Sequence, residues 1–268
     1  MPNGLVPSLV SRGMTKVKSE VARLTMGSPR EWPAGRRVVS FTFDDFPCSA
    51  ASAGADILEA CGYRGTFYAS FGLAGQESPS GNIASEADVR SLAFRGHEIG
   101  CHTFGHINCA LEGPERVDSE CRKNRLAAIE AGIGTLQSFS YPFGALNRGV
   151  RRTTQCAFTS ARSTWIGINR ARFDIAALRA VPVMKRDGLA LCMHALRSLS
   201  ERDGWLVFYT HDVEAAPSIW GCEPSELKAL CEAVRDAGFD VDTVGQVAET
   251  VKSLAPRVSR VSEPGSGG

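Results

Sequence analysis

Two histidines four residues apart are one candidate for metal binding in this sequence. His102 and His106 follow the short run Glu98–Gly100. On a helical turn, residues at i and i+4 lie on one face, close enough for two imidazoles to bind one metal ion. The alternative is a pair of surface or core histidines without a metal.

A pair of adjacent aspartates is the second candidate. Asp44 and Asp45 end the apolar run Val38–Phe43. Neighbouring carboxylates raise one another's pKa, so the pair needs a cation or a proton-accepting role; the alternative is an N-cap beside a solvated loop acid. With the two histidines, one carboxylate completes a set of three ligands that leaves coordination positions open, as catalytic zinc requires.

A third candidate is His211, which stands at the exit of the apolar run Leu206–Tyr209. This place suits a general acid, and a strand-end histidine without a catalytic role is the alternative. Asp212 is a candidate for holding the tautomer of His211, with a backbone carbonyl as the other partner. The remaining histidines, His97 and His194, are expected to be a packed structural residue and a helix-face residue.

These residues can act together only if the fold brings the ends of several strands close together. The pattern of the sequence predicts such a fold. Short β-branched and aromatic runs alternate with helix-length segments, a pattern typical of parallel strands joined by helices. We therefore predict an α/β fold with a single domain, a distorted (β/α)7-type barrel with its chemistry at the carboxyl ends of the strands. The predicted strands are Val38–Phe43, Gly65–Ala69, Glu98–Gly100, Ser138–Tyr141, Phe158–Ser160, Leu206–Tyr209 and Asp240–Thr243. The predicted helices are Ala50–Cys61, Ala84–Arg95, Pro114–Ala131, Arg148–Cys156, Leu189–Ser200, Pro224–Ala237 and Val244–Val251.

Both ends of the chain differ from this body. Residues 1–35 form an N-terminal extension, and their spacing of apolar residues predicts an amphipathic helix over residues 5–25 with a basic outer face. Packing of this helix across the barrel is the favoured interpretation, and peripheral contact with a membrane is the alternative. Residues 256–268 are expected to form a disordered tail.

Composition excludes several classes of protein. Thirty Lys and Arg against 29 Asp and Glu give a net charge of +1, which provides no field for binding nucleic acid. Nine cysteines without a CxxC pair indicate reduced thiols rather than a disulfide framework. Charged residues interrupt the apolar pattern of the first residues, and no stretch of 18 apolar residues appears, so we expect a cytoplasmic protein, or one peripheral to the inner face of the membrane.

The motifs together resemble the polysaccharide deacetylase family, also known as carbohydrate esterase family 4, with its chitooligosaccharide-deacetylase homology domain. The order of the motifs carries this resemblance more than any one of them. The matching segments are Thr42–Asp45 (TFDD), His102–His106 (H(S/T)xxH), Tyr141–Gly144 (the middle motif) and Thr210–Asp212 (the terminal motif). The resemblance spans roughly Val38–Ala248 and makes residues 36–255 a deacetylase-like catalytic domain.

The resemblance implies roles for the matching residues. Asp44 would be the general base and His211 the general acid. Asp45, His102 and His106 would bind a divalent metal, for which we predict Zn²⁺. A metal that polarises an amide carbonyl and a carboxylate that accepts a proton from water agree with the chemistry read from the residues themselves.

The middle motif is expected to face the substrate. The backbone N–H of Phe143 would help to hold the oxyanion, and Tyr141 and Pro142 would contact the sugar. The four tryptophans Trp32, Trp165, Trp205 and Trp220 could stack on sugar rings, although buried packing is the favoured interpretation for each.

The chain departs from the family at three places. Many members carry an arginine that pairs with the catalytic base where this chain has Ser140, and Arg162 or Arg179 would have to substitute from a neighbouring strand. The aspartate expected behind the catalytic histidine has Asp174 as its nearest candidate. Phe46 replaces a glycine and is expected to narrow the substrate groove.

The resulting hypothesis is metal-dependent hydrolysis of N-acetyl groups on amino sugars of a poly- or oligosaccharide, releasing acetate. One alternative is a deformylase or deacylase of a lipid-linked amino sugar at the cytoplasmic face of the membrane. Another is an inactive carbohydrate-binding barrel, a hypothesis that rests on Ser140.

Overall fold

The computed structural model describes residues 9–185 and 188–254. The strands are β1 (Pro29–Glu31), β2 (Arg37–Asp44), β3 (Thr66–Ala69), β4 (Glu77–Ser78), β5 (Gly81–Asn82), β6 (Glu98–Cys101), β7 (Ser138–Ser140), β8 (Ser160–Arg162), β9 (Arg172–Asp174), β10 (Val181–Pro182), β11 (Gly204–Thr210) and β12 (Asp240–Val241). The helices are α1 (Leu9–Arg23), α2 (Ala55–Ala60), α3 (Glu86–Phe94), α4 (Pro114–Glu130), α5 (Arg148–Ala157), α6 (Gly188–Glu201), α7 (Pro224–Asp236) and α8 (Val244–Ser253).

Seven parallel strands curl into a half-barrel. Their order is β10-β11-β2-β3-β6-β7-β8, and β12 pairs with the lower part of β2. A parallel bridge between Arg162 and Leu178 links the last strand to the segment that leads into β10. This arrangement confirms the predicted distorted (β/α)7-type barrel.

In the main sheet, two predicted strands differ from the observed ones and one observed strand was not predicted; outside it, β1, β4, β5 and β9 were not predicted either. The fifth was placed at Phe158–Ser160, but β8 covers Ser160–Arg162. The predicted strand Asp240–Thr243 is the short β12, outside the main curl, whereas the two-residue β10 was not predicted. Hydropathy identifies the long apolar strands well. It does not identify β10, which has only two residues, or the true bounds of β8, which contains the buried Arg162.

Side-chain alternation along β2 separates two apolar layers. Val39, Phe41 and Phe43 face the surrounding helices, whereas Val38 packs in a second cluster inside the barrel with Trp205. Because side chains of a strand alternate between its two faces, Asp44 points into the barrel like Val38. The strand therefore delivers a carboxylate to the upper interior.

The lower interior is closed by aromatic rings and by the start of α8. Trp32 stacks on Trp205 with ring centroids 6.2 Å apart. The carboxylate of Glu98 accepts hydrogen bonds from the backbone N–H of Gly245, at 2.8 Å, and from the hydroxyl of Ser138, at 2.6 Å. Trp32 and Trp205 thus belong to the core, in agreement with the favoured interpretation.

Helix α1 packs on the barrel with the opposite face from the one expected. Its small residues face the body: Ser19 Oγ donates to the carbonyl of Leu146, at 3.2 Å, and Ala22 is buried. Its apolar residues are exposed instead: Met14, Val17, Val21 and Leu24. Packing across the barrel is observed, and Lys16, Lys18 and Arg23 are exposed as expected. The expectation that the apolar residues of the helix face the barrel was wrong.

Parts of the predicted extension and tail cannot be compared. Residues 1–8 and 256–268 lie outside the described residues. Within the described part, no helix has the length and apolar character needed to cross a membrane.

Gly100 allows the barrel interior to pack beneath the upper strand ends. A Cβ at this position would lie 2.4 Å from the ring of Tyr68. We expect Gly100→Ala to lower the free energy of unfolding by ~1–3 kcal/mol, the usual cost of overpacking a core. Urea unfolding measures this change.

Gly13→Ala is the matched control, because nothing lies within 4 Å of the added Cβ. It should be neutral or stabilise α1 by up to ~1 kcal/mol, since Ala has the higher helix propensity. Equal losses for the two variants would contradict the packing role of Gly100.

Candidate active site

The carboxyl ends of five of the seven parallel strands bring the candidate residues to one edge of the barrel. Asp44 ends β2, and His102 follows β6. Ser140 and Arg162 end β7 and β8, and His211 follows β11. Parallel strands present these ends on the same side, so residues far apart in the chain share one site.

Asp45, His102 and His106 form a set of ligand atoms within 4.8 Å of one another. The carboxylate of Asp45 lies 3.4 Å from Nε2 of His106 and 3.8 Å from Nε2 of His102. Nδ1 of His102 donates to the carbonyl of Ser140, at 2.7 Å. This bond leaves the lone pair on Nε2, the atom that faces Asp45.

The protonation states in this set suit a bound cation. Burial lowers the pKa of His102 and of His106 to about 4 each, so both imidazoles are neutral near pH 7 and able to act as ligands. Burial raises the pKa of Asp45, and the charge of Asp44 adds to this effect. Oδ1 of Asp45 is buried and has no hydrogen-bond partner among the described residues, so the donor set fits a divalent metal ion.

Asp44, at the end of β2, is bound by an arginine at the end of β8, across the barrel. Both of its carboxylate oxygens accept hydrogen bonds from Nη2 of Arg162, which also bonds to Oγ of Ser140. The guanidinium lies 4.8 Å from the ring centroid of Tyr209 and 5.4 Å from that of Tyr68. Arg162 is therefore held between two aromatic faces and aimed at Asp44.

This pairing keeps Asp44 ionised. Burial alone would raise the pKa of Asp44, but the charges of Arg162, His102 and His211, with the hydrogen bond from Arg162, outweigh burial and lower the pKa to about 2. The carboxylate thus carries its charge throughout the neutral range.

Of the two arginines considered for this place, the structure puts Arg162 there. It pairs directly with Ser140 in the register of β7 and β8, and the small serine leaves room for it. Arg179 is exposed and donates to the carbonyl of Ile166, at 3.1 Å, so it lies outside the site.

Strained backbone is concentrated in the loops of the site. Asp45, Thr103, His106 and Phe143 have φ values of 51°, 60°, 50° and 61°, and Ala171 is the only other non-glycine residue with positive φ in the described ranges. Each such conformation costs ~1–3 kcal/mol and persists where surrounding contacts enforce it. This strain orients Asp45 and His106 of the candidate ligand set and could not be predicted from residue types.

The loop of the two histidines is held from α4. The backbone N–H of Gly105 donates to the carboxylate of Glu120, at 2.8 Å. Oγ1 of Thr103 accepts from the backbone N–H of Ile107, at 3.1 Å. Sequence analysis did not identify Glu120, which is buried in α4; a buried glutamate in a helix carries no motif.

The middle motif contributes to the site through Phe143. Its side chain is 62% exposed, and its ring centroid lies 4.5 Å from that of His106. Tyr141 is buried, and its hydroxyl donates to the carbonyl of Ala176, at 2.9 Å. Pro142 is buried as well, and contact of Tyr141 and Pro142 with a substrate stays a prediction.

His211 lacks the carboxylate partner that was expected. Asp212 accepts from the backbone N–H and the hydroxyl of Ser218, each at 2.6 Å, and so shapes the following loop instead. Asp174 binds the backbone N–H of Gly27, at 2.7 Å, on β1's side of the barrel. Both predictions were wrong, and Nδ1 of His211 has no partner in the described part of the chain.

The structure also bears on the predictions made for Phe46 and for the four tryptophans. Phe46 is buried and packs edge-on against Phe67 at 5.5 Å, so the prediction that it narrows a groove was wrong. The ring of Trp220 lies 6.4 Å from that of His211. Among the tryptophans, Trp220 is therefore the one beside the site.

The comparisons with known proteins agree with this geometry. The model of the family "Polysaccharide deacetylase" matches residues 32–159. A search of curated proteins found no significant match.

Solved structures show the same fold. A Mycobacterium smegmatis protein assigned to the polysaccharide deacetylases has a TM-score of 0.64 at 17% identity, covering 90% of this chain and 99% of that one. The Xyl-CE4 domain of a xylanase from the hindgut metagenome of Trinervitermes trinervoides has a TM-score of 0.57 at 18% identity, covering 84% and 95%. An acetyl xylan esterase of Clostridium thermocellum, solved with cobalt, has a TM-score of 0.54 at 19% identity, covering 81% and 92%.

Fold, motifs and family match thus define the class of this protein. Residues 32–159 match the polysaccharide deacetylase family, and the fold is that of carbohydrate esterase family 4. The protein is a hydrolase of the deacetylase type, acting on amide bonds.

We expect Arg162→Gln to lower the rate of hydrolysis at least ~10-fold, because Asp44 would remain buried without its counter-charge. Arg179→Gln, which removes the same charge outside the site, should retain the wild-type rate. Circular dichroism controls for folding, and the exchange Ser140→Arg with Arg162→Ser should recover part of the activity. Equal rates for the two glutamine variants would contradict the role of Arg162.

We expect the double variant His102→Ala/His106→Ala to lose its bound metal, measured by elemental analysis of the purified protein. The physical reason is the loss of two of the three donor atoms. His194→Ala, an exposed histidine on α6, is the control and should keep the metal. Unchanged stoichiometry in the double variant would show that the metal binds elsewhere.

Proposed function

We propose that this protein hydrolyses N-acetyl groups on amino-sugar residues of a poly- or oligosaccharide, giving acetate and a free amine. One observation carries the proposal: the unpartnered Oδ1 of Asp45 lies in one ligand set with two neutral imidazoles, next to the ionised Asp44. The family match to polysaccharide deacetylases supports the choice of substrate class.

The proposed metal is a divalent cation, Zn²⁺, held by Asp45, His102 and His106. When bound it would polarise the scissile carbonyl and acidify the attacking water, which matters because a carboxylate with a pKa of about 2, such as Asp44, is by itself a weak base. Imidazole and carboxylate ligands in a set of three are typical of catalytic zinc.

The chain's own groups supply the remaining steps. Asp44 accepts a proton from the attacking water, while Arg162 holds the carboxylate in place. The backbone N–H of Phe143 donates to the carbonyl oxygen as it gains negative charge. His211 protonates the amide nitrogen, the C–N bond breaks, and the sugar amine leaves.

Acetate release from N-acetylglucosamine oligomers of increasing length tests the proposal. The metal-loaded wild type should release acetate, and Asp44→Asn should keep its metal while losing at least ~100-fold in rate, the usual scale for a missing general base. The absence of acetate from every oligomer, or an equal rate in Asp44→Asn, would overturn it.

The role of His211 gives a separate prediction. An amide nitrogen leaves poorly without a proton, whereas the phenolate of an activated aryl acetate leaves unaided. His211→Ala should therefore lose far more activity on N-acetyl substrates than on the aryl ester, with its metal content unchanged. Equal losses on both substrates would make His211 a structural or positioning residue.

The argument for an inactive carbohydrate-binding barrel no longer holds. It rested on Ser140, which stands where the family's arginine was expected. Arg162 provides the guanidinium at Asp44 from the next strand, and the site retains its other groups.

A second candidate, deacylation of a lipid-linked amino sugar at a membrane surface, is supported by α1. Its exposed apolar residues, Met14, Val17, Val21 and Leu24, are flanked by Lys16, Lys18 and Arg23. Basic helices with an exposed apolar face bind anionic membrane surfaces. Besides α5, the helix contacts Asn108 and Leu146, which follow His106 and Phe143 in the loops of the site.

Vesicle sedimentation tests this candidate. The wild type should bind anionic vesicles, and Val17→Ser/Val21→Ser/Leu24→Ser should bind at least ~10-fold more weakly because the apolar face is lost. Leu126→Ser/Ile129→Ser, which changes exposed apolar residues of α4, should bind like the wild type. No binding by the wild type, or equal binding by both variants, would contradict membrane contact.

A further inference from the structure

A second cavity lies at the opposite end of the barrel from the candidate active site. It is bounded by residues 135–137 and 157–160, which lead into β7 and β8, and by Arg30, Arg125 and Lys252. Since Ser140 and Arg162 end these same strands at the active site, the cavity lies at their amino ends. Its volume is about 350 Å³, within the range of pockets for small ligands.

The lining of this basal cavity is cationic. Arg30, Arg125 and Lys252 contribute three positive side chains from β1, α4 and α8, and none of the described residues that line the cavity is Asp or Glu. Lys252 has a weak exposed pair with Glu249, at 3.7 Å. Three cations without a lining carboxylate favour an anionic ligand.

The hydrogen bonds of these side chains are incomplete. Arg30 donates through Nη1 to the carbonyl of Pro29, at 2.8 Å, and Arg125 donates through Nη2 to the carbonyl of Ala157. Nε of each arginine and Oγ of the buried Ser160 have no partner among the described residues. A buried donor without a partner costs ~1–3 kcal/mol, so each one needs an explanation.

The same feature marks the candidate active site. There, Oδ1 of Asp45 and Nδ1 of His211 are also buried without partners, and a ligand is expected to meet them. Unpartnered polar atoms among residues of the cationic basal cavity point to a second place where the folded chain is complete only with a ligand.

We infer that the basal cavity binds a small phosphomonoester, such as a sugar phosphate, with its phosphate between Arg30 and Arg125. Guanidinium groups bind phosphate oxygens through paired N–H donors. A phosphate monoester carries a charge near −2 at neutral pH, which matches a site with three cations better than a single carboxylate does. Thr135, Gln137 and Gln155, which also line the cavity, would hydrogen-bond the neutral part of the ligand.

Titration calorimetry on the full, metal-loaded chain tests this inference. Inorganic phosphate and a hexose 6-phosphate are titrated at constant ionic strength. The unphosphorylated hexose is the control that lacks the charged group. We expect Arg30→Gln to weaken the binding of both phosphate compounds at least ~10-fold. Arg122→Gln, which removes an exposed arginine of α4, should leave their binding unchanged.

Further variants keep the test decisive. Arg125 stacks 4.2 Å over the ring of Phe158, so Arg125→Gln could unfold the cavity wall; Lys252→Gln, at an exposed lysine, is used beside it and should also weaken binding. His106→Ala should retain phosphate binding. The inference is overturned if phosphate binds no better than chloride, if Arg30→Gln binds like the wild type, or if His106→Ala alone abolishes binding, which would place the phosphate at the metal.

Discussion

The buried ion pair between Asp44 and Arg162 is the constraint on which the rest of the site depends. Neither charge can remain inside a protein alone, because desolvation without a partner costs several kcal/mol. The pair spans the barrel from β2 to β8, and Ser140 is small enough to let it pass. The ionised state of Asp44 therefore depends on the curvature of the sheet, which brings the end of β8 close to the end of β2.

The aromatic residues of the interior complete this arrangement. Arg162 lies between the rings of Tyr68 and Tyr209, and Tyr68 can occupy its place only because Gly100 has no side chain. The upper interior is thus polar and aromatic, whereas the lower interior is closed by Trp205 and Trp32. A rigid lower core provides the support for the strained loops above it.

In these loops, tertiary contacts hold backbone conformations that the local sequence does not favour. Asp45 and His106 adopt positive φ values that non-glycine residues seldom take. The histidine loop keeps this shape through bonds to Glu120 and within Thr103–Ile107. Rigid placement of the ligands matters because a metal site holds its ion only when the donor atoms are preorganised.

Local patterns in the sequence were sufficient for the parallel barrel and for the positions of β2 and β11, because apolar runs are local properties. The candidate ligand set Asp45, His102 and His106 followed from the order of the motifs, and the fold brings these three residues together. Only the tertiary structure decided which arginine pairs with Asp44, that Tyr141 bonds to Ala176 and Asp212 to Ser218, and that α1 exposes its apolar face. The physical reason is the same in each case. Burial of a charge, a hydroxyl or a helix face depends on partners distant in the chain, and no local pattern records them.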